Sequence, residues 1–399
     1  MDETQIGLFQ DNFIKLESSV KQDDITKAIS NSFDYDWQGI NTEKIILPEL
    51  PKDFNLGVIV GSSGSGKSTI AKQLYGEPKK YEWDCSKSIA SNFSSAEEAS
   101  NKFVAAGLNS IPTWLKPYNV LSVGEKFRAD VAMQLKDDAV IDEFTSTVNR
   151  ETAISCSCAI SKYIREKDIK RVVLISCHDD ILPYLQPDWI WNTDTHELIH
   201  GRWLQRPQIE LAVYSCSTKA WDWFKKYHYL SEEIHPAAVC YLGVLHDRPV
   251  AFASLLALPG RDVTNAWREH RVVVHPDFQG MGIGNKFSEA LGQAYVDTGH
   301  QYFCKTANPR MGEHRNKSPL WKPTGNNMKA RESYLNADGS LRDWNPRYGM
   351  KQELVAMHAH RICYSHEYIG THPEDRVILP CLNQREETSE ILIDQISLF

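Results

Sequence analysis

The chain has 399 residues, enough for two or three domains, with 42% hydrophobic and 24% charged residues, the balance of an ordinary soluble globular protein. A formal net charge of −8 argues against nucleic-acid binding by the whole surface, and nine cysteines in so long a chain do not make a disulfide scaffold. No apolar stretch reaches the length of a membrane span and no signal-peptide pattern opens the chain, so reduced thiols and a cytoplasmic setting with no membrane partner are expected.

Residues 1 to about 55 hold short alternating segments: Phe13-Ile14-Lys15-Leu16-Glu17, Phe33-Asp34-Tyr35-Asp36-Trp37 and Lys44-Ile45-Ile46-Leu47. Their period predicts β-hairpins beside the strand that follows. One ring among Phe33, Tyr35 and Trp37 is a candidate to stack on an adenine, and ordinary core aromatics are the alternative. The apolar run Leu56-Gly57-Val58-Ile59-Val60 then leads into Gly61-Ser62-Ser63-Gly64-Ser65-Gly66-Lys67-Ser68-Thr69, and Ile70-Ala71-Lys72-Gln73-Leu74 continues as a helix. Buried strand, glycine-rich loop and helix start are the context of a phosphate-binding P-loop. The glycines let successive N–H groups face one anion, and the helix N-terminus adds its positive dipole end. Lys67 is expected to reach the β- and γ-phosphates of ATP, with Ser68 on Mg²⁺.

Further along, Leu121-Ser122-Val123-Gly124-Glu125 precedes a helical run from Lys126 to Leu135. Ala139-Val140-Ile141-Asp142-Glu143 is an apolar strand ending in two carboxylates, and Arg171 to Ser176 is a second buried strand, leading to His178. This order resembles the ATP-binding-cassette (ABC) ATPase family over roughly residues 50 to 195. The resemblance implies a P-loop ATPase domain over 1–205. Asp142 would hold Mg²⁺ with Ser68, Glu143 would be the general base for the attacking water, and His178 would contact the γ-phosphate. Gly61, Ser62, Gly64, Ser65, Gly66, Lys67, Ser68 and Thr69 would embrace the phosphates. Ser122 and Gly124 would complete the site of a second copy, which implies an ATP-dependent homodimer. Three departures stand out. Val123 and Glu125 replace the third and fifth residues of the usual Leu-Ser-Gly-Gly-Gln signature, Asn149 stands where the segment after the carboxylate pair usually ends in Asp, and no Q-loop glutamine is evident between Lys72 and Pro117.

Past a short connector at 201–207 the pattern changes. Ile209 to Tyr214 alternates like a strand, and Ser217 or Thr218 can cap a helix carrying Trp221, Trp223, Phe224 and Tyr227. Ala238 to Leu245 and Pro249 to Leu255 flank His246-Asp247-Arg248 as a hairpin. Glu269-His270-Arg271-Val272-Val273-Val274 is a further strand, and after His275-Pro276-Asp277-Phe278 comes Gln279-Gly280-Met281-Gly282-Ile283-Gly284, opening a helix. Strand, helix, hairpin, strand, glycine loop and helix resembles the GNAT acyltransferases, whose pyrophosphate loop reads Gln/Arg-x-x-Gly-x-Gly/Ala. The resemblance implies a mixed α/β GNAT domain over 206–399 that binds acetyl-CoA or another acyl-CoA. Val274, Gln279, Gly280, Met281, Gly282, Ile283 and Gly284 would hold the cofactor. Glu269 and His270 are the candidates for the base, with Tyr229, His314 and Tyr334 as further acid/base or substrate contacts.

From Lys305 to Lys351 ten basic residues face four acids, a local balance of +6. Trp321, Tyr334, Trp344 and Tyr348 interleave with them, as in surfaces that bind phosphates and stack bases, although a solvated positive face reads the same way. The segment 269–284, with Asn308-Pro309 and Ser318-Pro319-Leu320-Trp321, resembles a phage-associated group in which an ABC-type ATPase is fused to a Mom-like GNAT domain. That resemblance implies ATP-coupled acyl transfer onto a DNA or RNA base taken out of its stack. A protein or small-molecule acetyltransferase regulated by its ATPase, and an ATP-driven binding module with an inactive GNAT fold, are the alternatives. In the last segment, Ile391-Leu392-Ile393 and Ile396 to Phe399 are read as an edge strand or docked tail.

Overall fold

The computed structural model describes residues 5–8, 13–78, 80–201, 207, 209–228, 234–258, 265–330, 336, 338, 340 and 361–370. The chain divides into two compact units, 1–207 and 208–399.

Unit 1 opens with an antiparallel sheet of β1 (Gln5–Leu8), β2 (Phe13–Ser19) and β3 (Ile40–Ile46). Between β2 and β3 lies a helix, α1 (Asp24–Ser32), where further hairpin structure is expected from the sequence. The local reason is a capping box: Asp23 accepts from the Thr26 N–H while the Thr26 hydroxyl accepts from the Asp23 N–H. Phe33 closes that helix and Asp34 turns at φ 48°, so 33–37 is a turn rather than a strand.

The second sheet of unit 1 is β4 (Leu56–Val60), β5 (Val140–Ile141), β6 (Val172–Ser176), β7 (Trp189–Asn192) and β8 (Glu197–His200), in the order β5-β6-β4-β7-β8. The first four are parallel and β8 is antiparallel to β7. The helices are α2 (Lys67–Tyr75), α3 (Ala96–Ala105), α4 (Ile111–Trp114), α5 (Val123–Gln134), α6 (Arg150–Glu166) and α7 (Leu182–Leu185). All five residues of β4 and of β6 are buried. Such unbroken apolar runs belong to a parallel sheet covered on both faces, with Phe103, Ala129 and Ile160 on one side and Ile14, Ile45 and Ile70 on the other. Because β5, β6 and β4 are parallel neighbours, the segments leaving their C-terminal ends emerge along one edge, the edge where open α/β sheets bind ligands.

Among the described residues, unit 2 forms one sheet of seven strands: β9 (Ala212–Cys216), β10 (Val239–Leu245), β11 (Arg248–Ala257), β12 (Ala266–Val274), β13 (Gln301–Thr306), β14 (Trp321–Pro323) and β15 (Tyr364–Tyr368). Their order is β14-β15-β13-β12-β11-β10-β9. α8 (Trp221–Phe224) follows β9, α9 (Ile283–Asp297) follows β12, and α10 (Pro309–Lys317) follows β13. The first strand begins three residues later than its alternation suggests. The β10–β11 hairpin turns on His246 and Asp247, at φ 48° and 60°, the left-handed pair of a tight two-residue turn.

Two irregularities shape this sheet. β12 and β13 pair in parallel only from Ala266–Gln301 to Arg268–Phe303, so among the described residues 269–274 has no ladder partner on that side. On its other side β12 carries a bulge: Ser254 pairs with Arg271 and Leu255 with Glu269, leaving His270 as the extra residue. The expected tail strands at 391–399 lie outside the described residues. Ahead of that tail, β15 lies between β13 and β14.

Candidate functional sites

The glycine loop of unit 1 leaves β4 and ends at Gly66, whose φ of 83° is left-handed and whose open N-cap position starts α2 at Lys67. A Cβ built at Gly66 would stand 2.7 Å from the Ile45 side chain, so β3 closes against the loop. A Cβ at Gly64 would meet nothing within 4 Å, so the loop faces open space there. Lys67 Nζ donates to the carbonyls of Gly61 at 2.8 Å and Ser62 at 2.5 Å. Ser65 turns its hydroxyl to Ser62 O, and Ser68 and Thr69 lie half-buried in the first turn of α2.

Two strands away, Asp142 leaves β5 with Oδ1 accepting from the Glu143 N–H at 2.8 Å, and Glu143 is exposed. Glu143 and Thr145 sit at φ 52° and 69°, a strained stretch for residues with side chains. The turn is held by Phe144 N–H donating to Ile175 O and by Ser176 Oγ donating to Phe144 O. Backbone strain braced by the neighbouring strand marks the kind of place where a side chain is aimed for chemistry. His178 follows β6, with Nδ1 3.4 Å from Thr145 Oγ1. Desolvation, then the Arg150 charge, lowers its pKa against the opposing pull of Asp179, which favours the neutral ring. The loop, Asp142-Glu143 and His178 therefore share one sheet edge. No group of three or more His, Cys, Asp or Glu suited to a metal occurs among the described residues. Ser68 and Asp142 thus fit Mg²⁺ only in company with phosphate oxygens and water, the usual manner for this cation.

Ser122 and Gly124 stand at the N-terminus of α5. Ser122 caps the helix and Glu125 accepts from the Ser122 N–H at 2.9 Å, a capping box, while also accepting from Thr113 at 3.0 Å. That bond explains an acid where the signature has an amide. A Cβ on Gly124 would lie 3.5 Å from Val148, placing the helix start beside the segment that follows Asp142-Glu143. Phe33, Tyr35 and Trp37 line an open groove of about 410 Å³ with Ile29 and Asn41. Phe33 and Tyr35 are 78% and 64% exposed, so neither is a core ring.

In unit 2 the second glycine loop repeats the first. Gly282 is the left-handed N-cap of α9 at φ 87°, and a Cβ there would meet nothing within 4 Å. Gly280 and Gly282 are exposed, Met281 is partly buried against the core, and Ile283 is buried. Gln279 Nε2 donates to Val274 O at 2.7 Å, and a Cβ on Gly284 would lie 3.3 Å from Val274 Cγ2. The loop is therefore fastened to the end of β12, where that strand's edge is unpaired. Bare amides, a helix N-terminus and a free strand edge suit an extended ligand with a diphosphate end. The residues fit a coenzyme A cradle.

The two base candidates part company. Glu269 faces α9 and α10, in the interior. Its carboxylate accepts from Arg315 Nη2 at 3.1 and 2.9 Å, from Tyr302 Oη at 3.1 Å and from Ser288 Oγ. Its side chain is 7% exposed and that of Arg315 1%. Such a carboxylate is an anchor of the core, which corrects the expectation of a free base. His270 is the extra residue of the bulge, and the next residue, Arg271, pairs with Ser254. His270 Nε2 is buried with no hydrogen-bond partner among the described residues, and desolvation, then Arg271 and Arg268, pushes its pKa down to about 4. His314 contacts Glu289 at 3.3 Å, and Tyr229 and Tyr334 lie outside the described residues.

The basic region also needs correction. Arg315 is spent on Glu269, and Trp321 is buried under it, with the guanidinium 4.2 Å from the ring centroid. Lys305, Arg310, Lys317, Lys322 and Lys329 are exposed. Tyr334, Trp344, Tyr348, Arg331, Arg342, Arg347 and Lys351 lie outside the described residues. Sequence reasoning missed Ser288, Tyr302, Thr193 and Asp194, because each meets its partner through long-range packing that no local pattern records.

The GNAT acetyltransferase family model matches residues 202–315. No curated protein matches the chain. Among solved structures, the ribosomal-protein-S18-alanine N-acetyltransferase from Escherichia coli is similar at 13% identity and a TM-score of 0.27, over 42% of this chain and 100% of that one. A putative streptothricin acetyltransferase from Bacillus anthracis, in complex with acetyl coenzyme A, is similar at 12% identity and a TM-score of 0.27, over 40% and 98%. The ATP-binding cassette MJ0796 bound to ADP and Pi is similar at 16% identity and a TM-score of 0.30, over 38% and 87%. Scores this low carry no argument about activity. No helix among the described residues is long and apolar enough to cross a membrane. The family match, the glycine loop on α9 and the parted strands β12 and β13 together identify residues 202–315 as a GNAT acetyltransferase domain.

Proposed function

We propose that this protein is a nucleotide-controlled N-acyltransferase: unit 2 transfers an acyl group from acyl-CoA, in the simplest case acetyl-CoA, to an amine, and unit 1 binds ATP with Mg²⁺ and pairs with a second copy. The observation that carries the reading is the recurrence of one device, a glycine loop ending in a left-handed N-cap before a helix, at Gly66 and Gly282. In the transfer, the amine nitrogen attacks the thioester carbonyl carbon. The C–N bond forms, the C–S bond breaks, and the departing thiolate takes up a proton while the amine loses one. Val274, Gln279, Gly280, Met281, Gly282, Ile283 and Gly284 would hold the coenzyme. His270, neutral near pH 7 with Nε2 unengaged, would take the amine proton, and Glu269 would keep β12 in place.

In unit 1, the loop from Gly61 to Thr69 would hold the phosphates, Ser68 and Asp142 the Mg²⁺, Glu143 the attacking water and His178 the terminal phosphate. Ser122 and Gly124 would serve the site of the second copy. ATP supplies the link between two copies, and hydrolysis ends it. The acceptor we propose is a nucleic-acid base. Its support is the exposure of Lys305, Arg310, Lys317, Lys322 and Lys329, since exposed cations engage phosphates. The test is mass spectrometry of DNA and tRNA nucleosides from cells expressing the parent, Lys67→Ala and Gly282→Glu. An acylated base present with the parent and absent with both variants supports the whole reading. Acylated protein lysines with unmodified nucleosides would move the acceptor to protein.

A further inference from the structure

The turn after β7 closes on the outer end of the unit 1 glycine loop. Asp194 Oδ2 accepts from the Ser62 N–H at 2.7 Å and Oδ1 accepts from the Ser62 hydroxyl at 2.7 Å. Next to it, Thr193 donates from its N–H to Val60 O at 2.8 Å, and its Oγ1 lies 2.6 Å from Ser65 Oγ. Asn192 Oδ1 accepts from the N–H groups of Asp194 and Thr195, which fixes the turn itself. A Cβ on Gly61 would land 2.0 Å from Thr193 Oγ1 and 3.3 Å from Asp194 Oδ1, so the turn lies directly on the loop. The two bonds from Ser62 hold the Asp194 carboxyl below the usual carboxylate range, and the Lys67 and His196 charges add to them.

A carboxylate fastened to a loop built for anions calls for an explanation. Its charge opposes a phosphate. Its two hydrogen bonds remove freedom from the first turn of a glycine-rich segment, the segment that would otherwise lose most entropy on closing around a ligand. The two effects act in opposite directions on affinity, and different substitutions separate them. Asn can keep both bonds, accepting the Ser62 N–H through Oδ1 and donating to the Ser62 hydroxyl through Nδ2, without the charge. Ala keeps neither.

We propose that Asp194 is a positioning residue of the nucleotide site: it pins the Ser62 turn in its phosphate-ready shape, and its charge, shared with Lys67, holds affinity down so that nucleotide is released. This rests on the nucleotide-binding reading of unit 1. The experiment titrates a fluorescent ATP analogue with Mg²⁺ into the full chain as parent, Asp194→Asn and Asp194→Ala. It also measures amide hydrogen exchange over 61–66 without nucleotide. Asn binds about threefold tighter than the parent, as expected for one exposed like charge removed. Ala binds about tenfold weaker than Asn, with faster exchange at Ser62 in Ala alone. Equal affinities for Asn and Ala, or unchanged exchange in Ala, would overturn the pin. A parent that takes up no nucleotide while Ala still speeds exchange would instead sink the nucleotide reading and leave the pin standing.

Discussion

Replacing Arg315 by Met removes the counter-charge of a carboxylate that lies inside unit 2. Arg315 Nη2 gives three bonds, two to Glu269 at 3.1 and 2.9 Å and one to Ser288 Oγ at 2.7 Å. After the change Glu269 keeps the hydroxyls of Tyr302 and Ser288 and loses its cation. Stranding one partner of a buried ion pair costs about 3–5 kcal/mol, and two surviving donors place this case near the lower end, about 3 kcal/mol. For a unit spanning 208–399 each kcal/mol moves the melting temperature by roughly 2–4 °C, so the transition of unit 2 falls by about 6–12 °C. Calorimetry of the full chain reads this. The Glu269→Leu/Arg315→Met pair removes both charges and recovers much of the loss. A single variant melting within about 2 °C of the parent, or a double variant as unstable as the single, would refute the buried-pair argument. The pair also bears on catalysis. If Glu269 anchors β12, Glu269→Gln slows transfer but leaves the pH profile of the remaining rate unchanged, whereas loss of a catalytic base would erase one limb of it.

Acid should loosen unit 2. His228, His270 and His366 are each pushed down to about 4, chiefly by desolvation. Between 6.5 and 4 the unfolded chain binds protons that the folded one refuses, so their stability is whole above pH 6.5 and is lost as pH falls toward 4. His366, fully buried, accounts for up to about 3 kcal/mol of this. Urea midpoints from pH 7.5 to 4.5 should fall, and His366→Gln should flatten the slope; a midpoint that rises on acidification contradicts the sign. Gly282→Glu puts a side chain at φ 87° and a carboxylate at the proposed diphosphate cradle, so acetyl-CoA binding should vanish while ATP binding persists. An unchanged acetyl-CoA titration removes that cradle. Glu143→Gln should accumulate an ATP-bound dimer, and size-exclusion chromatography that finds only monomer with ATP counts against nucleotide-driven pairing.

Much of the local architecture was legible because it is written in short-range chemistry. Strand, glycine loop and helix at 56–75 and again at 266–297 follow from apolar runs and from glycines that alone tolerate the left-handed cap. The His246-Asp247 turn follows from spacing. The start of α5 was legible as a helix N-terminus, where Glu125 completes a capping box with Ser122, whereas its bond from Thr113 was not.

Other features were decided by tertiary structure, because their partners lie far apart in sequence. His270 became the extra residue of a bulge against β11, a register event that one strand alone cannot specify. Arg315 read as one cation in a basic run. Only the packing of α10 over β12 and β13 took it out of solvent and made it the partner of Glu269, 46 residues away. Asp194 carried no signal at all, since its meaning comes from a turn laid on a loop 132 residues earlier. Patterns of burial and backbone conformation act over a few residues and can be read from the chain. Pairing of charges and hydrogen bonds across the fold depends on which surfaces meet, and three dimensions decide that.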